Sequence, residues 1–343
     1  MSNPAPISST GRRAFLRRLT VIGSGLALLP RSAPAAPTLP TGIKLSLGQW
    51  VFHREFRGDA GAEKCDPVEF PGMAGELGFT GVDYSGQLWA SRADDPKFLA
   101  ELRRRAADAG VQNVLILVDR EGVLGASKAA ARQQAVQKHT RWLDIAAALG
   151  CSGIRVNPQS EATLAADEQA RLLADGVSRL MIAAANRGLD VLLENHGEGL
   201  SCSGPWIAGV VAAVNHPRCG TLPDFGNFHL NRARNEWHDR YAGVSAMLPS
   251  AKVLCAKSHA FDANGDEIYT DYERMLRMAL DLGFRGYIEV EYEGAHKPGI
   301  EPPRRAQPGA TLSPAEGALA TKRLIERTLA KLVAERPGSA AVR

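Results

Sequence analysis

Residues 191–199 read VLLENHGEG, and this stretch decides the fold. Three aliphatic residues run directly into a glutamate, an asparagine and a histidine, with two glycines close behind. A short apolar run of this kind is typical of a parallel strand buried on both faces. A charged end is typical of a strand that delivers a side chain to a site, and glycines let the next loop pass close to a ligand. The stretch therefore predicts a buried strand that brings Glu194 to a functional site.

Similar short apolar runs recur along the chain, separated by segments with helical periodicity. Two of these segments end at Gly150 and Gly188, as helices commonly do. Alternating strands and helices indicate a parallel sheet, and eight such units in about 250 residues predict an α/β fold of the (β/α)8 TIM barrel type. We expect a single domain over residues 36–335 and a flexible tail over 336–343. The predicted strands are 43–52, 81–85, 113–119, 153–157, 190–195, 219–224, 252–259 and 286–293.

The N-terminal residues have the layout of a bacterial export signal. Residues 11–19 read GRRAFLRRL, followed by the apolar stretch LTVIGSGLALLP and then by RSAPAAP, which offers a small-residue cleavage site. This order predicts a twin-arginine signal peptide over residues 1–35, export through the Tat translocase and a periplasmic mature protein. The apolar stretch is shorter than the roughly 20 residues that a membrane-spanning helix needs, so no stable span is predicted.

Charge and cysteine usage exclude several classes of protein. The chain has 41 basic and 37 acidic side chains. Five of the arginines and none of the acids lie in residues 1–35. Without that segment, 41 minus 5 leaves 36 basic side chains against 37 acidic ones, a net charge of −1. A near-neutral chain lacks the basic face that nucleic acid binding requires. No C-x-x-C spacing occurs, so a zinc knuckle is not indicated. Cys151, Cys219 and Cys255 lie in apolar runs and are predicted to be small buried residues.

Each of the last four predicted strands ends at a residue of a type that commonly binds metals. Glu194, Asp224, His259 and Glu291 stand at the ends of strands five to eight. In a TIM barrel these ends meet at one face, where charged residues are functional. Three carboxylates and one imidazole suit a divalent ion, Mn²⁺, Mg²⁺, Co²⁺ or Zn²⁺, which would also offset the buried negative charge. The pattern predicts one divalent metal ion bound by these four residues.

Five stretches carry a resemblance to a known family: LSLGQWVFHRE, RWLDIAAALGCSGIRVN, VLLENHGEG, LPDFGNF and GYIEVEYEG. Over residues 43–335 the chain resembles the sugar phosphate isomerase/epimerase family of xylose isomerase-like TIM barrels. In ketose 3-epimerases of this superfamily, Glu, Asp, His and Glu from strands five to eight bind one metal, and the two glutamates move the proton. The resemblance implies Glu194, Asp224, His259 and Glu291 as metal ligands, with Glu194 and Glu291 as the catalytic residues.

Residues near the same strand ends are predicted to bind substrate. Trp50, at the end of strand one, is either a platform for a sugar face or part of the core. The lysine on strand seven is either a proton carrier or the partner of a barrel carboxylate. Residues His229 and Glu293 are candidates for supporting roles behind these groups. The predicted substrate-binding residues are Trp50, His53, Asn157, His196, Asn227 and Lys257.

These residues predict a divalent-metal-dependent isomerase or epimerase that works through a metal-stabilised enediolate. A Lewis acid stabilises the charge that develops when a carboxylate removes a proton beside a carbonyl. The sequence has no glycine-rich phosphate cradle and no basic cluster after strands seven and eight, where barrels bind phosphate. An unphosphorylated sugar or keto-sugar is therefore the expected substrate.

Other functions use the same fold. A metal-dependent lyase or hydratase acting on 3-keto-glycosides, or on their elimination products, would share every ligand. Asn227 stands where the epimerases have a histidine, and no arginine closely follows His259, so the reaction type stays open. An endonuclease of this fold would need a basic DNA-binding face. A non-catalytic periplasmic sugar-binding protein is a further alternative, and the sequence leaves a homo-oligomer open.

Overall fold

A computed structural model describes residues 39–294 and 311–336, and its main sheet has eight parallel strands that alternate with helices. This confirms the predicted (β/α)8 TIM barrel. The predicted signal peptide lies outside the described residues, as does the tail beyond Arg336. The strands are β1 (Ile43–Gly48), β2 (Gly81–Ser85), β3 (Gln112–Val118), β4 (Gly153–Val156), β5 (Asp190–Glu194), β6 (Cys219–Leu222), β7 (His229–Asn231), β8 (Glu236–Trp237), β9 (Val253–Ser258) and β10 (Gly286–Tyr292).

The described helices follow the strands and cover the outside of the sheet. Two of them end where the sequence places a glycine: α4 is followed by Gly150 in the left-handed conformation, and α5 ends shortly before Gly188, which is also left-handed. The helices are α1 (His53–Arg57), α2 (Phe70–Glu76), α3 (Pro96–Asp108), α4 (Ala129–Leu149), α5 (Ala166–Ala185), α6 (Gly204–Val214), α7 (Arg240–Met247), α8 (Tyr272–Asp281) and α9 (Pro314–Ala334).

The barrel strands are β1–β6, β9 and β10, while β7 and β8 form a separate two-stranded ribbon. Hydrogen-bonded neighbours follow the order β6-β5-β4-β3-β2-β1-β10-β9. The remaining gap, between β6 and β9, is bridged by isolated parallel pairs at Thr221 with Ala251 and at Asp224 with Cys255. The barrel is therefore nearly closed, and its last bridge lies beside a predicted metal ligand.

Alternate residues of each strand face the two sides of the sheet. On β10, Ile288 and Val290 belong to the large apolar core that includes the helices, whereas Glu289 and Glu291 are buried inside the barrel. The outer core is rich in aromatic side chains, and Trp89 packs edge-on against Trp142 with ring centroids 5.4 Å apart. Burial of both faces explains why these strands are apolar with few interruptions, and why each inward-facing charge is conspicuous.

The first predicted strand, 43–52, is too long. Strand β1 ends at Gly48, and Gln49–Phe52 form a 3-10 turn that leads into α1 at His53. The amide oxygen of Gln49 is buried and accepts hydrogen bonds from the Ser85 backbone N–H and from the indole of Trp89, at 3.0 and 3.1 Å. Because these bonds hold Gln49 against β2, the chain turns there rather than extending.

The five cysteines are free thiols, and Cys151, Cys219 and Cys255 are buried as predicted. Within residues 39–294 and 311–336, no helix is both long and apolar enough to cross a membrane.

Candidate active site

A cavity of about 720 Å³ opens at the carboxyl ends of the barrel strands. Asp224 lies beneath its floor and is fully buried. His53 is absent from the wall and instead stacks on Trp50, with ring centroids 4.7 Å apart. The structure thus brings most of the predicted site residues to one cavity. Those in its wall are Trp50, Asn157, Glu194, His196, Asn227, Lys257, His259 and Glu291.

Three of the four predicted metal ligands converge at the floor of this cavity. One side-chain oxygen each from Glu194, Asp224 and Glu291 lies, together with the sulfur of Cys255, in a group whose atoms are all within 4.8 Å of one another. All four residues are buried. They come from β5, β9, β10 and the end of β6, so the barrel closure described above is what gathers them.

His259 is placed differently from the other predicted ligands. It follows β9, its backbone N–H donates to the Oε1 of Glu267 at 3.2 Å, and its ring meets Tyr269 edge-on at 6.0 Å between centroids. The imidazole lies in the cavity wall but outside the four-atom group, where Cys255 supplies the fourth potential ligand. Metal binding by His259 stays a prediction.

Arg155, on β4, links two acids on one side of the cavity. Its Nε lies 2.7 Å from the Oε2 of Glu194, and its Nη1 donates to the Oδ1 of Asp119 at 2.8 Å. Asn157 donates to the same Asp119 oxygen at 2.8 Å. Burial raises the pKa of Glu194 well above its usual value, and Arg155 opposes that rise. Burial also acts on Asp119, but there the Arg155 guanidinium prevails and holds the pKa well below its ordinary range.

Lys257, on β9, occupies the other side of the site. Its Nζ lies 3.3 Å from the Oδ2 of Asp224, 3.2 Å from the Oε1 of Glu291 and 3.1 Å from the Oε1 of Glu293. Burial alone would favour the neutral amine, but these carboxylates raise the pKa of Lys257 well above its usual value. The side chain is therefore an ammonium ion, which agrees with the ion-pair alternative predicted for it.

The loop after β6 fixes the orientation of Asp224. Its Oδ1 accepts hydrogen bonds from the backbone N–H groups of Gly226 and Asn227, at 2.7 and 2.8 Å. Asn195 reinforces the turn, because its side chain accepts from the Asp224 N–H and donates to the carbonyl oxygens of Asp224 and Asn227. One carboxylate oxygen is thereby held by the backbone, and Oδ2 points toward the other acids. Asn227 contributes to this turn as well as to the cavity wall.

The donor set fits a divalent cation. Although Arg155 lies close to Glu194, its Nε–H is not aimed at Oε2, and neither Glu194 Oε2 nor Asp224 Oδ2 accepts a well-directed hydrogen bond from the described residues. Both oxygens keep a lone pair for another cation. Two cations, Arg155 and Lys257, form ion pairs with five carboxylates, those of Asp119, Glu194, Asp224, Glu291 and Glu293. A buried excess of negative charge favours a further cation.

His196 follows β5 and completes the wall next to this network. Burial lowers the pKa of His196 to about 4, so the imidazole is neutral near pH 7. Its Nδ1 has no hydrogen-bond partner among the described residues. A neutral imidazole can donate to or accept from a sugar hydroxyl, as the sequence predicts for this residue. Trp50 offers an apolar surface to the same cavity. The guanidinium carbon of Arg57 lies 4.7 Å from the centroid of its ring.

Three residues of the site were not singled out from the sequence as site residues: Asp119, Arg155 and Cys255. Strand parity was the signal that could have found two of them. Arg155 lies two residues before Asn157, and Cys255 two residues before Lys257, so each pair faces the same side of its strand. Cys255 was interpreted as a small apolar residue because thiols are common in cores.

Comparison with known proteins agrees with the fold. Residues 73–314 match the model of the xylose isomerase-like TIM barrel family, so the chain belongs to that family. Among solved structures, it is similar to an L-ribulose 3-epimerase, with a TM-score of 0.64 and 13% identity over 88% of this chain and 99% of the other. A xylose isomerase-like TIM barrel protein from Mycobacterium smegmatis in complex with magnesium gives a TM-score of 0.57 and 19% identity, covering 84% of this chain and 97% of that one. At these identities the structures establish the fold alone.

A curated relative is similar over a short segment. The chain is 36% identical over 59 residues to the alpha subunit of 3'-dehydrocarminate deglycosidase from Microbacterium sp.. The match spans 17% of this chain and 17% of the relative's length.

Proposed function

We propose that the protein is a divalent-metal-dependent isomerase or epimerase that acts on an unphosphorylated sugar or keto-sugar. The observation that carries this proposal is the convergence of Glu194, Asp224 and Glu291 within 4.8 Å, at the carboxyl ends of the strands of a xylose isomerase-like barrel. A structural neighbour in complex with magnesium supports the choice of a divalent ion. The sugar 3-epimerases among the neighbours support the reaction type.

Glu194 and Glu291 act as the proton-transfer pair in this proposal. A divalent ion bound by the acidic group would supply electrostatic stabilisation for negative charge that develops on a substrate oxygen. Glu194 ends β5 and Glu291 lies on β10, so their carboxyl groups approach a bound sugar from different strands. One removes the proton from the carbon next to the carbonyl, and the other returns a proton to the opposite face or to the neighbouring carbon. Arg155 and Lys257 orient the two carboxylates.

The cavity wall offers hydrogen-bonding and aromatic contacts to a hydroxyl-rich substrate. Asn157 and His196 present hydrogen-bonding groups, and Trp50 presents an aromatic surface. After β9 and β10, where barrels bind phosphate, the described wall residues are His259, Tyr269 and Glu293, none of which is a permanent cation. A carboxylate at this position repels phosphate, which favours an unphosphorylated sugar.

Isotope exchange tests the proposed chemistry. Purified protein loaded with Mn²⁺, Mg²⁺, Co²⁺ or Zn²⁺ is incubated in D2O with ketohexoses and keto-sugars, and the products are analysed by NMR. We expect deuterium at the carbon beside the carbonyl, with loss of exchange in Glu194→Gln and in Glu291→Gln. Glu326→Gln, which removes a charge from a helix pair with Lys322 outside the barrel, is the control and should exchange normally. Turnover of a sugar without any incorporation of solvent deuterium would overturn the proposed proton abstraction.

The short match to a deglycosidase subunit favours a second candidate, a metal-dependent lyase that acts on 3-keto-glycosides. The first step is the same proton removal beside the carbonyl, but the group at the next carbon then leaves instead of a proton being returned. A chromogenic 3-keto-glycoside distinguishes the two, because release of its aglycone requires elimination. Aglycone release together with no conversion of free ketoses would replace the isomerase proposal with the lyase.

We further propose that residues 1–35 direct the protein to the periplasm through the Tat translocase. The twin arginine at positions 12 and 13 is the feature that supports this. Replacing both arginines with lysine should retain the protein in the cytoplasm, as measured by fractionation and immunoblotting. Unchanged export of that variant would contradict the twin-arginine route without affecting the proposed reaction.

A further inference from the structure

We propose that Cys255 is a ligand of the divalent ion and that its sulfur makes the site select Zn²⁺ or Co²⁺ over Mg²⁺. This inference rests on the proposed function in one respect, the presence of a divalent ion among these acids. What it adds is that Cys255 is the ligand provided by β9. The sequence favoured His259 for that position, whereas the geometry points to Cys255.

Cys255 lies inside the group of potential ligands. Its Sγ is within 4.8 Å of one oxygen each from Glu194, Asp224 and Glu291, and it donates to the Oε2 of Glu291 at 3.4 Å. The residue is fully buried, and it shares strand parity with Lys257, whose ammonium contacts the same acids. The sulfur therefore faces the barrel interior at the depth of the carboxylates.

The backbone couples Cys255 directly to a second ligand. Asp224 and Cys255 form the parallel bridge that joins β6 to β9, with hydrogen bonds from Phe225 N–H to the Cys255 carbonyl oxygen at 3.0 Å and from Cys255 N–H to the Pro223 carbonyl oxygen at 2.9 Å. These two bonds flank Asp224 on both sides. The relative position of the thiol and the Asp224 carboxylate is thus fixed by the barrel closure rather than by flexible side chains, which is the preorganisation that a metal site needs.

His259 is held elsewhere. It lies beyond the end of β9, and the backbone N–H bond to Glu267 and the edge-on contact with Tyr269 place its ring in the cavity wall. Cys255 lies four residues earlier, within the strand. Because the carboxylates of Glu194 and Glu291 also lie at strand depth, the cysteine matches their level and the histidine lies above it.

Sulfur changes which ions the site prefers. Thiolate ligands select Zn²⁺ and similar ions, whereas Mg²⁺ prefers oxygen and water. When the ion binds, a metal–sulfur bond forms and the S–H proton leaves; the Oε2 of Glu291, which accepts the S–H hydrogen bond, is the first acceptor on its path to solvent. Three carboxylates and one thiolate can then coordinate one ion, with the cavity open on the substrate side.

Cobalt spectroscopy tests this ligand in the intact protein. Metal-free protein is titrated with Co²⁺, and the absorption spectrum and the bound metal per chain are recorded. We expect a near-ultraviolet thiolate-to-cobalt charge-transfer band that reaches its maximum at one ion per chain. Cys255→Ser should lose the band. Cys219→Ser is the matched control, since Cys219 is buried at the start of β6, at the opposite end of the barrel, and its variant should keep the band.

The possible results separate this inference from the proposed function. One Co²⁺ per chain with no charge-transfer band in the wild-type protein would overturn Cys255 as a ligand and leave the metal-dependent enzyme intact. A band that persists in Cys255→Ser would also overturn it. If the wild-type protein binds no divalent ion, both this inference and the metal dependence of the proposed function are wrong.

Two measurements keep the test valid if Cys255→Ser does not fold. X-ray absorption of the wild-type protein with Zn²⁺ should show a sulfur neighbour at about 2.3 Å, whereas oxygen and nitrogen ligands alone at about 2.0–2.2 Å would contradict the inference. Competition between Zn²⁺ and Mg²⁺ should strongly favour Zn²⁺ in the wild-type protein. In a folded Cys255→Ser protein, Zn²⁺ affinity should fall by roughly 10- to 100-fold or more, while Mg²⁺ affinity changes little.

Discussion

The interior of the barrel carries acidic side chains at two depths, and their surroundings differ. In the upper layer, Glu194 and Glu291 approach the cations Arg155 and Lys257 within 3.2 Å. In the lower layer, Asp83 and Glu289 are fully buried, and none of their four carboxyl oxygens accepts a well-formed hydrogen bond from the part of the chain that the structure describes. Both layers contain two acids from different strands, but among the described residues only the upper acids form ion pairs with buried cations.

This difference indicates that the buried cations Arg155 and Lys257, more than the acids, distinguish the functional layer. Burial raises the pKa of Asp83 to about 7, and burial followed by the neighbouring acids raises the pKa of Glu289 well above its usual value. The lower pair therefore holds protons near pH 7 and carries reduced charge. In the upper layer, Arg155 and Lys257 offset part of the cost of burying charge. Burial also raises the pKa of Glu291 to about 7 and that of Glu194 well above its usual value, although Lys257 and Arg155 oppose the rise, so a metal that binds the upper layer displaces protons from these acids.

The largest expected effect compares one aspartate from each layer. Asp224→Asn should lower metal-dependent turnover by roughly 10³- to 10⁴-fold, because it removes a ligand charge and the support that the ion gives to proton transfer. Asp83→Asn should change turnover by less than about tenfold, since a protonated carboxyl group and an amide carry the same charge. Steady-state assays and metal analysis measure both. A comparable loss in the two variants would break the distinction between the layers.

Removing a cation from the upper layer should reduce stability. Arg155→Met leaves Asp119 and Glu194 buried without their partner, and loss of one member of a buried ion pair costs about 3 to 5 kcal/mol. Arg141→Met is the matched control: its ion pair with Asp94 is solvent-exposed, so its loss should cost less than about 1 kcal/mol. Urea unfolding of metal-free protein measures both. Equal costs would show that Arg155 does not offset the buried charge of the upper layer.

The lower layer should give the protein a pH-dependent stability. The Asp83 pKa is about 7 in the folded protein and about 4 when unfolded, so between these values the folded state binds the extra proton. The contribution of Asp83 to the free energy of unfolding is therefore greatest below about pH 4 and falls as the pH rises toward 7. A shift of this size corresponds to on the order of 2 to 4 kcal/mol. Asp83→Asn should make that decline shallower, as followed by unfolding curves from pH 4 to 8, while Glu289 and the other buried acids with a raised pKa keep the rest of it. The same decline in the variant would assign it to another group.

The sequence predicted the barrel well because its signals are local. Apolar runs of strand length, helices that end near Gly150 and Gly188 and charges at strand ends are all visible one segment at a time. The end of the first strand could not be predicted, since Gln49 turns the chain through hydrogen bonds to Ser85 and Trp89, which lie more than 30 residues away.

Within the site, the sequence identified acids more readily than their partners. Glu194, Asp224 and Glu291 stand out because charge is rare in buried strands. Arg155 and Cys255 become meaningful only when barrel closure shows which strands face each other. Cys255 on β9 and His259 just after that strand are four residues apart and share parity, and a sequence pattern cannot tell which of them reaches the depth of the carboxylates.

The smallest expected effect sharpens the role of the upper cations. Lys257 contacts Asp224 and Glu291 at 3.2–3.3 Å, so its ammonium competes with a divalent ion for the same oxygens. Lys257→Met should therefore raise metal affinity by roughly 10-fold, about 1.4 kcal/mol, while lowering the melting temperature of the metal-free protein. Calorimetric titration with Zn²⁺ measures the affinity. Lys322→Met, which removes a half-buried lysine from the outer helix α9, should leave it unchanged. If metal affinity falls in Lys257→Met, the lysine positions the ligands instead of competing with the ion, and positive charge in the upper layer serves to assemble the site rather than only to offset its negative charge.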